Sequence, residues 1–393
     1  MKNCAIVCEY NPFHTGHKYQ LDCVRKRGID NIFCVISGSF VQSAMPAFCD
    51  KSIRAECAVL GGADAVIELP TVYSTASAQD FAEGAVKIIA GIKNISHIAM
   101  GAIAQPDDIL RIAEIKTEYS DRYTAELKCQ LNSGKSYNAA CVAALSKMHE
   151  TIFPDRNSID GILADPNNML CIEYITAIKK YAANIEPIII KRLGAKYNDY
   201  DTAGIHISAT AIRNAYSNGC SEDIEKYIPF KYKEMYEYRI SHAPDLTSYK
   251  NIAVYSLKSA DINYISNLRN CSEGLEYLLK SKSFYDFDSY IEAATSRRYS
   301  KKRLFRLFLD IILGIDKDYM SKRFCTRLLA CKNAFDFTLL PSCVKSTNAD
   351  IKNAAANDSE IRQVLQIDEK AVALYNTISK LDGDYYNYSL IKI

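Results

Sequence analysis

The sequence predicts an α/β protein, a parallel sheet covered on both faces and followed by an all-helical C-terminal domain. Three observations carry that prediction. Over roughly the first hundred residues, short runs that are apolar throughout alternate with amphipathic stretches, the pattern of strands buried between two helical layers. Turn sequences sit where those runs end, at the carboxyl ends of the strands, where open sheets of this kind bind ligands. After about residue 235 the strand signals stop, and helical patterning continues.

The elements follow in order. "CAIVCEY" (4–10) reads as a buried strand, and "HKYQLDCVRKRG" (17–28) as a helix closed by Gly28. "NIFCVISGSF" (31–40) is the second strand, "KSIRAECAVLGGA" (51–63) a helix ending at paired glycines, and "DAVIELP" (64–70) the third strand. A helix near 77–91 leads to a fourth strand, "ISHIAMGA" (95–102). Residues 106–182 are mostly helical, interrupted by "SIDGILADPNNM" (158–169). A fifth strand, "EPIIIKRLG" (186–194), precedes "HISATAIRNAY" (206–216), a turn entering a helix. The remainder breaks near Pro244, Gly274, Gly314 and Pro341, which gives two domains, 1–238 and 239–393. No repeat is present, and the tyrosine-rich "DGDYYNYSL" (382–390) suggests no chemistry.

Composition narrows the class. The chain has 393 residues, 48% of them apolar and 24% charged, enough for a sizeable core. A net charge of +2 means that any nucleic-acid surface must be a local one. No charged n-region precedes a long apolar h-region, and no apolar run approaches the roughly 20 residues of a membrane span, so a cytoplasmic location without membrane contact is expected. Fourteen cysteines are scattered without any CxxC pair, which reads as buried reduced thiols rather than a zinc site.

Three motifs carry chemistry. In "CEYNPFHTGHKYQL" (8–21) a strand meets a helix through a glycine-bearing turn, whose free N–H groups and helix dipole favour an anion. His14 and His17, three apart, share one side of the first turn and are placed to hydrogen-bond phosphate oxygens. The same pair also reads as two histidines at a helix start, or as metal ligands, though no third ligand stands at the offset that HExxH would give. The second motif is "ISATAIR" (207–213): Ser208 caps a helix, Thr210 lies in its first turn, and Arg213 adds a guanidinium fork. The third is "SRRYSKKRLFRLFLDIIL" (296–313), where Arg297, Arg298, Lys301, Lys302, Arg303 and Arg306 are unrelieved by any acid, a local cluster suited to a phosphate backbone. Lys322, Arg323 and Arg327 in "SKRFCTRL" (321–328) extend it. "NSGKSY" (132–137) is not a P-loop, because Cys129 stands where the leading glycine is required, and no GxGxxG occurs.

An HxGH turn paired with SxTxxR on a parallel sheet resembles the HIGH-type nucleotidyltransferase superfamily, and longer strings resemble one branch of it. "EYNPFHTGH", "GADAVIELP" (62–70), "DPNNMLCIEYITAI" (165–178), "IIKRLGAKYND" (189–199) and "ISATAIR" are similar to the bacterial tRNA(Met) cytidine acetate ligase family along nearly the whole chain. That resemblance implies a Rossmann-like sheet of the nucleotidyltransferase type. It implies that acetate is activated by ATP as acetyl-adenylate and transferred to N4 of the wobble cytidine, position 34, of elongator tRNA(Met). ATP would be wrapped by Val7, Cys8, Glu9, Tyr10, Asn11, Pro12, Phe13, His14, Thr15, Gly16, His17, Lys18, Tyr19 and Gln20, with Gly101, Asn167 and Arg192 also on the nucleotide. His14, His17, Ser208, Thr210 and Arg213 would form the catalytic set, Mg²⁺ would bridge ATP oxygens, and the basic helix would hold the tRNA. The chain departs from the family at Ser39, Ser43, Ala44 and Met45, where "GNFVQRGEPA" is usual, and at Ala102 and Ile103, where "FGSE" is usual. Other readings are an adenylyl- or cytidylyltransferase making a small nucleotide-linked product, and a non-catalytic, nucleotide-regulated RNA-binding protein.

Overall fold

Five parallel strands form the centre of one sheet, in the order β5–β4–β1–β2–β3. They are β1 (Asn3–Cys8), β2 (Asn31–Ser37), β3 (Ala65–Leu69), β4 (Ile95–Ala102) and β5 (Glu186–Lys191). The computed structural model describes residues 1–154, 156, 158–192, 208–218, 226–229, 237 and 242–393. Strand residues alternate between two cores, as a pleat requires: Ala5, Phe33, Val35 and Ile67 face one, Cys4, Ile6, Cys34 and Val66 the other. The first core is closed by α4 (Ala78–Ile89), α5 (Pro106–Thr117) and α9 (Pro166–Tyr181). The second is closed by α1 (Thr15–Arg25), α2 (Lys51–Gly61) and α10 (Ala209–Ser217). Chain order reverses between β1 and β4, the position at which such sheets open a crevice.

Further helices complete this half: α3 (Thr71–Ser74), α6 (Ser120–Asn132), α7 (Tyr137–Ile152) and α8 (Asp160–Leu163). "NSGKSY" forms the turn between α6 and α7, where Ser136 caps α7 by accepting from the Ala139 N–H. Each predicted strand is present, shortened at its carboxyl end except β4. The predicted boundary at 238/239 lies outside the described residues.

Beyond it, the helices Leu246–Ser259, Ile262–Asn267, Leu275–Lys280, Phe287–Ala294 and Lys301–Leu313 enclose a small core of their own around Leu257, Leu268, Tyr290 and Phe308. The C-terminal part is not all-helical, however. A sixth strand, β6 (Thr326–Cys331), runs antiparallel to β3, and β7 (Val344–Lys345) and β8 (Ile391–Lys392) pair with β6. The sequence hides β6 because Arg327, which reads as a surface cation, is buried near its start. Its guanidinium donates to Asn348 Oδ1 (2.6 Å) and to the Tyr385 carbonyl (2.8 Å), and lies over the Tyr385 and Tyr388 rings. The tyrosine-rich tail thus packs a buried cation. Arg327 is no part of any exposed basic surface.

Candidate active site

The turn after β1 is held by aromatic packing. Tyr10 adopts a positive φ of 47°, unusual for a bulky residue, and its buried ring meets Phe13 (4.9 Å between centroids) and His17 (4.8 Å). The Asn11–Pro12 peptide is cis. Phe13 reaches across to Gly61, where a Cβ would lie 2.5 Å from the ring, so only glycine leaves room for it.

At the start of α1 the two histidines are bound to each other. His14 is the N-cap, its Nδ1 accepting from the Gly16 N–H (3.1 Å), and His17 Nδ1 accepts from the His14 N–H (3.3 Å). The rings stack at 3.8 Å. An accepting Nδ1 carries no proton, so each neutral ring keeps its proton on Nε2, as a donor. Burial, with His14 and Arg192 beside it, holds the His17 imidazole well below its usual range. Both Nδ1 atoms are thus already engaged as acceptors.

The second motif meets the first across 202 positions of sequence. Ser208 Oγ caps α10 by accepting from the Ala211 N–H (3.1 Å). Arg213 donates from Nη1 to the Asn11 carbonyl (2.6 Å) and from Nη2 to Thr210 Oγ1 (3.0 Å). On the other side of the switch point, Arg192 donates to Asn167 Oδ1 (3.3 Å), and its backbone N–H bonds Ala102. A Cβ at Gly101 would lie 3.3 Å from the Arg192 stem, so the glycine lets that side chain lie against β4.

These residues line one cavity of about 520 Å³ at the carboxyl ends of β1 and β4. Of the predicted nucleotide set, Val7, Cys8, Glu9, Tyr10, Asn11, His14, Gly16, His17, Tyr19, Gln20, Gly101, Asn167 and Arg192 reach it, as do Ser208, Thr210 and Arg213; Pro12, Phe13, Thr15 and Lys18 do not line it, and Lys18 pairs with Asp22 along α1. Among the departures from the family, Ser43 lines the cavity, Ser39 is buried, Met45 packs on the core, and Ala102 is buried at the end of β4. Ala44 holds a φ of 59°, the left-handed region natural to the glycine usual there. Ile103 and Ala104 donate their N–H groups to Asn168 Oδ1 (2.9 and 3.2 Å).

The basic helix divides. Arg297, Arg298 and Lys301 are exposed, and Arg303 is tied to the Asn270 carbonyl and to Ser272. Lys302 and Arg306 instead line the cavity. Arg306 donates to the Ala76 carbonyl (2.9 Å), and burial pushes its guanidinium down to about 10.

Sequence reasoning missed three groups. Arg54 in α2 is fully buried, bonding the carbonyls of Cys49 (3.0 Å), Glu9 (2.9 Å), Ser37 (2.8 Å) and Gly38. Lys51 and Glu68 pair at 2.7 Å beneath Tyr385. Glu173 in α9, paired with Lys116 at 2.5 Å, lines the far end of the cavity. The signal for all three was charge inside otherwise apolar helical or strand faces.

The chain matches the HIGH Nucleotidyl Transferase family over residues 1–387. It is 35% identical over 321 residues to a tRNA(Met) cytidine acetate ligase of Thermoanaerobacter sp. (strain X514), covering 80% of this chain and 78% of that one. It is 30% identical over 403 residues to the tRNA(Met) cytidine acetate ligase of Clostridium perfringens (strain SM101 / Type A), covering 98% of each. The apo crystal structure of Thermotoga maritima TmcAL superposes with a TM-score of 0.89 at 25% identity over 100% of both chains. Another of the same protein, bound with alpha-thio ATP, shares the fold at a TM-score of 0.88 and 24% identity.

Proposed function

Because the chain belongs to the HIGH nucleotidyl transferase family and, within it, to the tRNA(Met) cytidine acetate ligases, we propose that it activates acetate with ATP and transfers the acetyl group to N4 of the wobble cytidine of elongator tRNA(Met). The observation that carries this reading is the joining of the two motifs, Arg213 on the Asn11 carbonyl, at the mouth of a crevice large enough for a nucleotide.

Acetate is a poor acyl donor because it would have to expel oxide. In the first step its oxygen attacks the α-phosphorus of ATP, the bond to the bridging oxygen breaks, and pyrophosphate leaves. The Nε2–H groups of His14 and His17, the Arg213 guanidinium and the first-turn N–H groups of α10 beside Ser208 and Thr210 stabilise the charge that spreads over the phosphates. Val7–Gln20, Gly101, Asn167 and Arg192 hold the nucleotide. In the second step the cytidine N4 attacks the acetyl carbon, the bond to AMP breaks, and N4 sheds a proton. N4 is a weak nucleophile, so positioning supplies much of the acceleration.

Among the described residues no three His, Cys, Asp or Glu converge. Of the carboxylates lining the cavity, Glu9 lies in the nucleotide turn and Glu173 is tied to Lys116, which fits a Mg²⁺ held mainly by triphosphate oxygens and water. Bound there it would neutralise triphosphate charge. Arg297, Arg298 and Lys301, exposed beside the cavity residues Lys302 and Arg306, would meet the tRNA backbone. No described helix is long and apolar enough to cross a membrane.

The test is label transfer from radioactive acetate to total bacterial tRNA with ATP and Mg²⁺. ATP-dependent label that disappears in His17→Ala supports the reading. Absence of label, with pyrophosphate exchange supported by another acid, would overturn the substrate assignment. A wild-type chain that binds RNA and ATP but does neither reaction would favour a non-catalytic role.

A further inference from the structure

The cavity is longer than the nucleotide site, and its far end has a different chemistry. Past Glu9 it runs between α4, α7 and α9, walled by Phe81, Val142 and Met169, with the ring of Tyr137 at the edge. Tyr137 is 48% exposed, and its hydroxyl donates to Gln79 Oε1 (3.1 Å), which sets the ring beside the opening. Among the described residues, the charged group lining this apolar end is Glu173, 7% exposed, both of whose oxygens accept from Lys116 Nζ (2.6 and 2.5 Å). At the entrance stand Lys302 and Arg306.

We propose that this end is the pocket for the acceptor base, and that Glu173 selects cytosine by accepting a hydrogen bond from its exocyclic amine. The inference rests on the acetyl-transfer reading above and names the site that reading leaves open. A carboxylate has about four acceptor positions and no donor, and Lys116 takes two of them. Whatever docks against the rest must donate. Cytosine presents an N4 amine there; uracil presents the O4 acceptor, which meets a carboxylate unfavourably. Acetate is repelled from the same oxygens, so it has to approach the α-phosphate from elsewhere. A base splayed from a loop brings a flat face and a charged backbone. The Tyr137 ring suits the first, and the two cations at the entrance suit phosphates on either side of the flipped nucleotide.

The experiment compares two anticodon stem-loop RNAs, with cytidine or uridine at the wobble position, binding to the full chain without ATP. Acetate-dependent ATP–pyrophosphate exchange is measured alongside. The wild type should bind the cytidine RNA at least tenfold more tightly. Glu173→Gln, whose amide both donates and accepts, should bring the two affinities within about twofold and lower acetyl transfer far more than exchange. Tyr137→Ala, a change at an exposed ring that leaves the Glu173–Lys116 pair intact, should weaken both RNAs about tenfold and keep the preference for cytidine. Preserved discrimination in a folded Glu173→Gln, or unchanged binding in Tyr137→Ala, would overturn the pocket while leaving acetate activation standing. A wild-type chain with neither exchange nor transfer would instead overturn the reading on which the pocket rests.

Discussion

Replacing Arg54 with methionine removes five donors from the interior and leaves a side chain of similar length. The guanidinium joins four backbone carbonyls: Glu9 after β1, Ser37 and Gly38 at the end of β2, and Cys49 before α2. A buried acceptor left without its donor costs about 1–3 kcal/mol. The low end applies here, because water from the neighbouring cavity can reach some of these carbonyls, so four of them give about 4 kcal/mol. Unfolding entropy of about 2.1 cal/mol/K per residue makes that a fall in Tm of about 5 °C for a chain this long. Because the Glu9 carbonyl sits in the nucleotide turn, ATP should also bind about tenfold more weakly. Differential scanning calorimetry and equilibrium ATP binding read the two effects. Arg54→Lys keeps the charge but gathers its donors on one nitrogen, so it should recover about half the stability. A Tm within 1 °C of wild type for Arg54→Met, or Arg54→Lys equal to wild type, would show that the fork does not hold these strand ends together.

His17→Gln should alter the pH dependence of stability. Since the folded imidazole titrates below its ordinary 6.5, acid protonates the unfolded chain first, and the wild type should lose about 1.4 kcal/mol relative to the variant between pH 7.5 and 5.5, read as urea midpoints. Asp368 works in the opposite sense. Burial, then the nearby Glu68, raises its carboxyl to about 7, so the folded state takes up a proton first and gains stability as pH falls. Between pH 8 and 6 the wild type should gain about 1.4 kcal/mol that Asp368→Asn does not, by the same titration. Arg213→Ala, which loses the Asn11 bond and its share of the phosphate charge, should cut acetate-dependent pyrophosphate exchange at least a hundredfold while moving Tm by less than 3 °C.

The nucleotide half of the site was legible because its information is local. In "NPFHTGHKYQL" the cap, the glycine and both histidines lie within one helical turn, and α10 carries its cap and arginine within six residues. The parallel sheet was legible because β2 and β3 are apolar on both faces. What escaped was long-range pairing of charge. Glu173 finds Lys116 57 positions away, and Arg54 serves carbonyls at the ends of two strands, so the sequence shows a charge within an apolar helix face but not its partner. The same blindness concealed β6, whose arginine is neutral to the core only because Tyr385 and Tyr388 return to cover it. The basic helix was legible as a cluster, but not its division: a residue count cannot tell that Lys302 and Arg306 reach the cavity while Arg297 and Arg298 do not.

The antiparallel pairing of β6 with β3 has a mechanical consequence. It anchors the distal end of the helical segment Leu246–Leu313 to the sheet, while Tyr249, near its proximal end, bonds the Ala44 carbonyl (2.9 Å) and Asp245 bonds Ile378 (2.8 Å). A segment fastened at one end swings like a door; fastened at both, it behaves as a girder across the crevice. Fastenings at both ends oppose the hinge motion by which two lobes shut around a substrate. On the proposed function, a crevice braced in this way leaves it to the RNA loop to supply the movement that brings its base to the phosphate.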